Sequence, residues 1–266
     1  MSQTALVLNA PGPLFETGSA THVGNVRDYN EDNLLARPEA GIWAVADGMG
    51  GHDAGDLASA TVIEALRSIE PADSAAQLLM SCERRVVGAN AALIDIGRGR
   101  GATIGTTVAV LLTHGAHFAC VWSGDSRIYL VRDGAISLQS RDHSVVQDLI
   151  AAGQLSPAEA RNAPGRNVIT RAIGIDSYPE LEIRDGVLRA GDVFVLCSDG
   201  LTAHVEDDEI LEHVISVTPQ QACDALIELT LERGATDNVT VIVLRCHATE
   251  PTAPALLHGI QPMKTS

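Results

Sequence analysis

Residues 43–51 read WAVADGMGG, an apolar run that ends in an aspartate followed by glycine. Residues 194–201, FVLCSDGL, repeat this arrangement later in the chain. Short apolar runs bounded by turn residues predict buried strands, so Asp47 and Asp199 should each stand at a strand end. Asp125 lies in a similar turn, VWSGDSR, and Asp237 directly precedes the apolar run NVTVIVLRC. A single Asp-Gly is most simply a turn, but four such acids need a common explanation.

Composition limits the classes of function. The chain has 266 residues, 45% of them hydrophobic, and we expect one domain. Its 18 basic and 34 acidic residues give a net charge of −16, which disfavours direct contact with nucleic acid or an anionic membrane. The five cysteines are odd in number and never form a CxxC pair, which favours reduced thiols. Neither a signal peptide nor an 18-residue apolar run is found, so we expect a cytoplasmic protein.

Hydrophobic periodicity predicts the main elements. Helical stripes predict amphipathic helices over 54–69 and 74–95, whereas the β-rich runs between 106 and 139 predict an antiparallel meander. Helix-start signals occur at Ser156 and Thr218, each followed by proline and then an acid or amide. Because strands and helices do not alternate regularly, the pattern favours an α+β layered fold.

The two ends of the chain differ from the middle. Both contain prolines without apolar periodicity, which predicts a flexible N-terminal arm over 1–19 and a flexible tail over 247–266. The folded domain should therefore cover residues 20–246.

The acids suggest a metal site. Glu31 and Asp32 add two more carboxylates near the first predicted strands. Carboxylates that lie close together repel one another and are costly to desolvate unless cations lie between them. No histidine or cysteine has zinc-like spacing, so oxygen ligands point to Mg²⁺ or Mn²⁺. Glycine at position 48 would leave its own carbonyl accessible as a further ligand.

An EF-hand loop is a rival interpretation, because Asp28, Asn30, Asp32 and Glu39 match positions of its template. The sixth position should be glycine and is Asn33, and the flanking sequences are typical of strands. The rival is therefore disfavoured.

Eight short motifs occur in order along the chain: RDYNED (27–32), VADGMGG (45–51), GTT (105–107), SGDSR (123–127), RDHS (141–144), ITRAIG (169–174), SDGL (198–201) and DNVT (237–240). Together they resemble the metal-dependent serine/threonine protein phosphatases of type 2C, in their bacterial form. The resemblance covers about residues 22–245. It implies a four-layer α-β-β-α sandwich, in which helices flank two antiparallel sheets, with a helical flap over about 143–166 near the metal site.

The resemblance also implies roles for individual residues. By similarity, Asp47 bridges two metal ions, Asp199 and Asp237 complete one, and Glu31 with the Gly48 carbonyl serves the other. Asp125 resembles a ligand of a third, weaker ion, and Asp32 and Asn238 are expected to support the ligands. Arg27 resembles the arginine that binds the substrate phosphate, a task that suits its planar guanidinium.

Two-metal chemistry predicts the reaction. Two divalent ions can lower the pKa of a shared water and direct the resulting hydroxide at phosphorus. A phosphocysteine route is excluded, because no cysteine is followed six positions later by arginine. Many eukaryotic members of the family have a histidine general acid where this chain has Met49. His52 is nearby in sequence and His143 follows an aspartate, but both are expected to be structural hydrogen-bonding residues.

Two functions are weighed. The first is a phosphatase for phosphoserine and phosphothreonine proteins that opposes a bacterial serine/threonine kinase, acting as a monomer with two Mn²⁺ or Mg²⁺ ions and room for a third. The alternative is a catalytically weak regulatory binding module on the same fold. The full set of acids and Arg27 favours the enzyme, since a degenerate member should have lost ligands.

Overall fold

Two antiparallel β-sheets form the centre of the protein. The computed structural model describes residues 14–50, 54–160, 163–165 and 168–247. Within these ranges, the strands of the first sheet lie in the order β1 (Leu14–His22), β11 (Val239–His247), β10 (Val193–Cys197), β7 (Arg127–Arg132) and β8 (Ala135–Leu138). Those of the second lie in the order β2 (Asp32–Arg37), β3 (Ile42–Met49), β5 (Val108–His114), β6 (His117–Ser123) and β9 (Glu182–Val187), and β4 (Gly105–Thr106) pairs with β3.

Helices cover the outer faces of both sheets. Helices α1 (Ala54–Arg67) and α2 (Ala75–Arg100) pack on the second sheet, whereas α6 (Asp207–Ile215) and α7 (Pro219–Glu232) pack on the first. Shorter helical segments are α3 (Val145–Ala151), α4 (Pro157–Ala160), α5 (Asp199–Thr202) and a 3₁₀ turn at Pro38–Ala40. In the described part of the chain, no helix combines the length and apolarity needed to cross a bilayer.

Both faces of the central strands are buried, and the alternation of side chains along each strand explains the continuous apolar runs. In β3, Ile42 and Ala44 pack towards α1 and α2, whereas Trp43 and Val45 pack between the sheets beside Phe194. The architecture is therefore helix, sheet, sheet, helix, as the resemblance implied.

The starts and ends of the predicted helices are largely confirmed. Thr218 and Gln221 form a reciprocal capping box at the start of α7, and Ser74 caps α2. Ser156 and Glu159 exchange hydrogen bonds as expected, but the helix that follows, α4, has only four residues. The five cysteines are all buried and unpaired, and Trp43 and Trp122 are core residues.

Two predictions need correction. The flexible arm over 1–19 is wrong for residues 14–19, which belong to β1 and pair with β11. The meander is wrong beyond β6, because β5 pairs with β6 but β7 lies in the other sheet. The EF-hand loop, which the sequence already disfavoured, is excluded because residues 32–37 form β2. Residues 1–13 and the predicted tail after His247 lie outside the described residues.

Candidate metal centre

Strand register brings the first two acids together. In the antiparallel pair of β2 and β3, Asp32 lies directly opposite Asp47. Asp32 is buried, and its Oδ2 accepts a hydrogen bond of 2.7 Å from the Ser198 hydroxyl. Its Oδ1 has no hydrogen-bond partner within the described residues. Desolvation by burial raises the pKa of Asp32 to about 7, because the charged form is poorly solvated there.

Two further acids come from the first sheet. Asp199 begins α5, separated by one residue from the end of β10, and Asp237 lies just before β11. Because β10 and β11 are antiparallel neighbours, the end of one strand and the beginning of the other meet at the same edge. Burial, and then the negative charge of Asp237, raises the pKa of Asp199.

Asp47 lies at the centre of this group. Its pKa is raised well above the ordinary range, first by desolvation and then by the negative charges of Asp32, Asp199, Asp125 and Asp237. Carboxylates crowded in this way are stable only with protons or cations between them.

The donor set fits hard divalent cations. Apart from the Gly48 carbonyl, the expected donors are carboxylate oxygens, and Oδ1 of the neighbouring Asp32 is buried without a hydrogen-bond partner among the described residues. Within the residues that the structure describes, no three His, Cys, Asp or Glu side chains are already arranged around a single point as ligands of one ion. The acids are therefore electrostatic neighbours, and their individual roles as ligands remain predictions.

Glu31 is held next to Gly48 by close backbone packing. The Gly48 amide donates to the Glu31 carbonyl at 3.1 Å, and the Gly55 amide donates to Glu31 Oε1 at 3.2 Å. A Cβ on Gly48 would lie 2.0 Å from the Gly55 carbonyl oxygen. Glycine at position 48 is thus required for β3 and α1 to approach each other this closely. Neither this reason nor the contact with Gly55 was predicted from the sequence.

Asn238 ties the loop before β2 to the start of β11. Its Oδ1 accepts from the Glu31 amide at 2.9 Å, and its Nδ2 donates to the carbonyls of Val23 at 2.9 Å and Tyr29 at 2.8 Å. The side chain therefore satisfies backbone groups on both sides of Arg27 and places Glu31 beside Asp237. The role of Asn238 as a support for metal ligands stays a prediction.

Arg27 extends from that loop over the acids. Its guanidinium donates to Asp237 Oδ2 at 2.8 Å, and half of its side chain is exposed to solvent. The hydrogen bond to Asp237 is the main reason why the pKa of Arg27 is raised, and the charges of Glu31 and Asp47 contribute. Arg27 is thus a cation at the solvent side of a group of carboxylates.

Asp125 completes the group from the segment that crosses between the sheets. It lies between β6 and β7, and burial together with the charges of Asp199 and Asp142 raises its pKa to about 8. The charge of Asp199 therefore acts directly on Asp125, and an ion shared by the two stays a prediction.

The fold and the arrangement of acids both point to one family. The family model for protein phosphatase 2C matches residues 24–229. The chain belongs to the protein phosphatase 2C family. It is 39% identical over 224 residues to the serine/threonine protein phosphatase PstP of Mycobacterium tuberculosis, and the match covers 83% of this chain and 43% of the relative.

Solved structures of the protein phosphatase 2C type share the fold. One is described as PppA, a key regulatory component of T6SS in Pseudomonas aeruginosa; it has a TM-score of 0.81 and 38% identity, over 87% of this chain and 97% of that one. Another is the catalytic domain of PstP in complex with two manganese ions, with a TM-score of 0.80 and 36% identity, over 89% and 100% of the two chains.

Three further residues of this protein phosphatase 2C chain hold the acids in place, and none was assigned a role from the sequence. Thr106 and Thr107 belong to the GTT motif, and both bind the backbone of Asp47 through their hydroxyls. Ser126 binds Thr107. Such roles depend on strand register, and the motif itself was the only signal that could have indicated them.

His143 packs in the interior of the protein and makes several contacts there. It is buried, stacks on Trp122, and accepts a hydrogen bond from the Gly124 amide through Nδ1 at 3.1 Å. Burial, and then the charge of Arg171, lowers its pKa. Its Nδ1 is therefore already hydrogen-bonded. His52, the other histidine considered, lies outside the described residues.

A groove of about 590 Å³ opens beside Asp125 and Asp199. One wall is α3 in the predicted flap, including Gln147 and Ile150, and the other is the beginning of α6. The protein phosphatase 2C chain therefore has an open space next to its acids that is large enough for part of a peptide.

Proposed function

We propose that the chain is a metal-dependent phosphatase that hydrolyses phosphoserine and phosphothreonine in proteins. The observation that carries the proposal is the group formed by Asp47, Asp199, Asp237 and Asp125, with Arg27 at its solvent side. The relative PstP is named a serine/threonine protein phosphatase, and this chain spans 43% of its length. That name supports the activity proposed here for the shared part.

Manganese or magnesium is the proposed cofactor. Asp47, Asp199 and Asp237, with Glu31 and the Gly48 carbonyl, would hold two ions, and Asp125 with Asp199 would hold a third. When bound, divalent cations offset the carboxylate charges and lower the pKa of a water molecule so that it can attack phosphorus. The PstP structure with two manganese ions supports this assignment.

The chain itself supplies substrate binding and orientation. Arg27 can exchange its half-exposed ion pair with Asp237 for the substrate phosphate, which its planar fork can bind through two parallel hydrogen bonds. The Asp47 backbone makes three hydrogen bonds with neighbouring threonines: its amide donates to the Thr107 hydroxyl, and its carbonyl accepts from the Thr106 hydroxyl and the Thr107 amide. These bonds fix the backbone from which the carboxylate extends. The groove beside α3 leaves room for residues that flank the phosphorylated side chain.

The proton for the leaving group is not assigned to a side chain. Met49 cannot donate a proton, and His143 is buried with its Nδ1 already occupied by the Gly124 amide.

The substrates, the opposing kinase and the location of the chain are also part of the proposal. We infer that phosphorylated proteins are the substrates, that a serine/threonine kinase opposes the reaction, and that the chain acts as a cytoplasmic monomer. The charge of −16 and five buried unpaired cysteines are compatible with that setting.

The proposal is tested by phosphate release from a phosphothreonine peptide in Mn²⁺, in Mg²⁺ and in chelator. Asp47→Asn removes the central charge, and Asp95→Asn, at a side chain that is 77% exposed, is the matched control. We expect activity that depends on metal, that is lost in Asp47→Asn and that is kept in Asp95→Asn. A folded wild type that binds metal but releases no phosphate would contradict the proposal and favour the binding module.

A further inference from the structure

The hydroxyl of Thr107 lies between the two segments that carry Asp47 and Asp125. Its Oγ1 accepts a hydrogen bond of 3.0 Å from the Asp47 amide and shares one of 2.7 Å with the hydroxyl of Ser126. Ser126 directly follows Asp125 in the sequence. Both hydroxyl-bearing residues are buried, with 3% and 2% of their surface exposed. A continuous path of buried hydrogen bonds therefore joins the backbone of Asp47 to the residue next to Asp125.

Backbone contacts strengthen both ends of this path. On one side, the Thr107 amide donates to the Asp47 carbonyl at 2.8 Å, so the two residues exchange hydrogen bonds. On the other side, a Cβ on Gly124 would lie 2.6 Å from Cβ and Cγ2 of Thr107, so the backbone before Asp125 packs directly on the threonine methyl. Thr107 thus contacts one segment through its hydroxyl and amide, and the other through its hydroxyl and methyl.

The position of Thr107 in the sheet explains why a hydroxyl is needed. Val45 pairs with Ala109 and Gly48 pairs with Thr106, so the register places Asp47 opposite Thr107. Thr107 falls between β4 and β5, where the regular ladder is interrupted. The Asp47 amide, which a regular ladder would bond to a backbone carbonyl, is satisfied by the side chain of Thr107 instead.

We propose that Thr107 is a positioning residue for Asp47 and that its bond to Ser126 couples the position of Asp47 to that of Asp125. Binding of an ion at one of these acids then changes the affinity for an ion at the other, because the hydroxyl of Thr107 positions both backbone segments. The inference rests on the proposed function, in which both acids are metal ligands.

The first test is calorimetric titration with Mn²⁺ of the wild type and two variants. Thr107→Val keeps the methyl and removes the hydroxyl, whereas Thr107→Ser keeps the hydroxyl. We expect Thr107→Val to weaken Mn²⁺ binding by about 10- to 100-fold, as loss of a hydrogen bond that orients a metal ligand usually does. Thr107→Ser should bind Mn²⁺ nearly as tightly as the wild type.

Thr230→Val is the matched control. Thr230 is buried in α7, and its hydroxyl donates to the Leu226 carbonyl at 2.7 Å. The control should lower the melting temperature without changing Mn²⁺ affinity. The two variants should also differ in kinetics. Thr107→Val should raise the Mn²⁺ concentration needed for half-maximal activity, and Thr230→Val should not.

The second test is a double-mutant cycle with Ser126→Ala. If the two hydroxyls act as one path, the double variant should bind Mn²⁺ about as weakly as Thr107→Val alone. Should Thr107→Val be recovered only unfolded, Ser126→Ala carries the test, because it breaks the same path from the other end.

The outcomes separate this inference from the proposed function. A wild type that binds Mn²⁺ and releases phosphate, with Mn²⁺ affinity unchanged in Thr107→Val or Ser126→Ala, would overturn the positioning role alone. Additive effects in the cycle would overturn the coupling. A wild type that neither binds Mn²⁺ nor releases phosphate would overturn both proposals.

Discussion

Replacement of Asn238 by alanine should release the loop that carries Arg27 and Glu31. The side chain is 5% exposed, and its three hydrogen bonds to backbone groups measure 2.8–2.9 Å. A protein hydrogen bond contributes about 0.5–1.5 kcal/mol net, so their loss should lower the free energy of unfolding by about 2–4 kcal/mol. Because the loop also positions two predicted site residues, Mn²⁺ affinity should fall and the KM for a phosphopeptide should rise.

Urea unfolding in chelator measures the first effect, with the fluorescence of the buried Trp43 and Trp122 as the signal. Asn25→Ala is the matched control, since the side chain of this exposed asparagine in the same loop makes one hydrogen bond, to the Leu231 carbonyl at 2.9 Å. The control should lose less than about 1 kcal/mol. Equal urea midpoints for the two variants, with an unchanged KM in Asn238→Ala, would refute the role given to this side chain.

Three further results are expected. Burial raises the pKa of Asp32 to about 7 and that of Asp125 to about 8, so the folded chain holds these protons more tightly than the unfolded chain does. In chelator, the free energy of unfolding should therefore fall as the pH rises from about 4 to 8, and Mn²⁺ should remove the decline; thermal melts across this range would contradict the reasoning if they were flat in chelator. Gly48→Ala should lower stability by about 1–3 kcal/mol or more, because the new Cβ would lie 2.0 Å from a backbone oxygen, whereas Gly88→Ala in α2, which meets nothing within 4 Å, should be neutral or stabilising in the same urea assay. Arg27→Ala should raise the KM for a phosphopeptide by about 10- to 100-fold with a smaller change in kcat, since a charge-assisted hydrogen bond contributes about 1.5–3 kcal/mol, and an unchanged KM would exclude Arg27 from phosphate binding.

Elements with a strong local pattern were predictable. The helical stripes over α1 and α2 and the capping signal before α7 depend on residues within a few positions of one another, and all three helices are present. β1 was missed because Leu14–His22 is rich in glycine, serine and threonine and has little apolar pattern of its own. It is a strand because β11 supplies its hydrogen-bond partners, which lie more than 200 positions away in the sequence.

The crossing between the sheets was unpredictable for a related reason. β6 and β7 both read as β-rich runs joined by a glycine turn, the usual signal of a hairpin. In the structure β6 pairs with β9 instead, and β7 pairs with β10, both of which come from later parts of the chain. Local turn signals mark where the chain changes direction, but they do not say which sheet the next strand joins.

The same division applies to the candidate site. Aspartates at the ends of apolar runs are visible in the sequence, because strand propensity and the charge of the next residue are local properties, and the ordered motifs indicated the family. The residues that support those aspartates come from other parts of the chain. Thr107 lies between β4 and β5, Ser126 lies in the segment that crosses between the sheets, and Asn238 directly precedes the last strand. Residue chemistry thus identified the acids, whereas strand register and sheet pairing bring them together, since hydrogen bonds between distant segments exist only once the two sheets have packed.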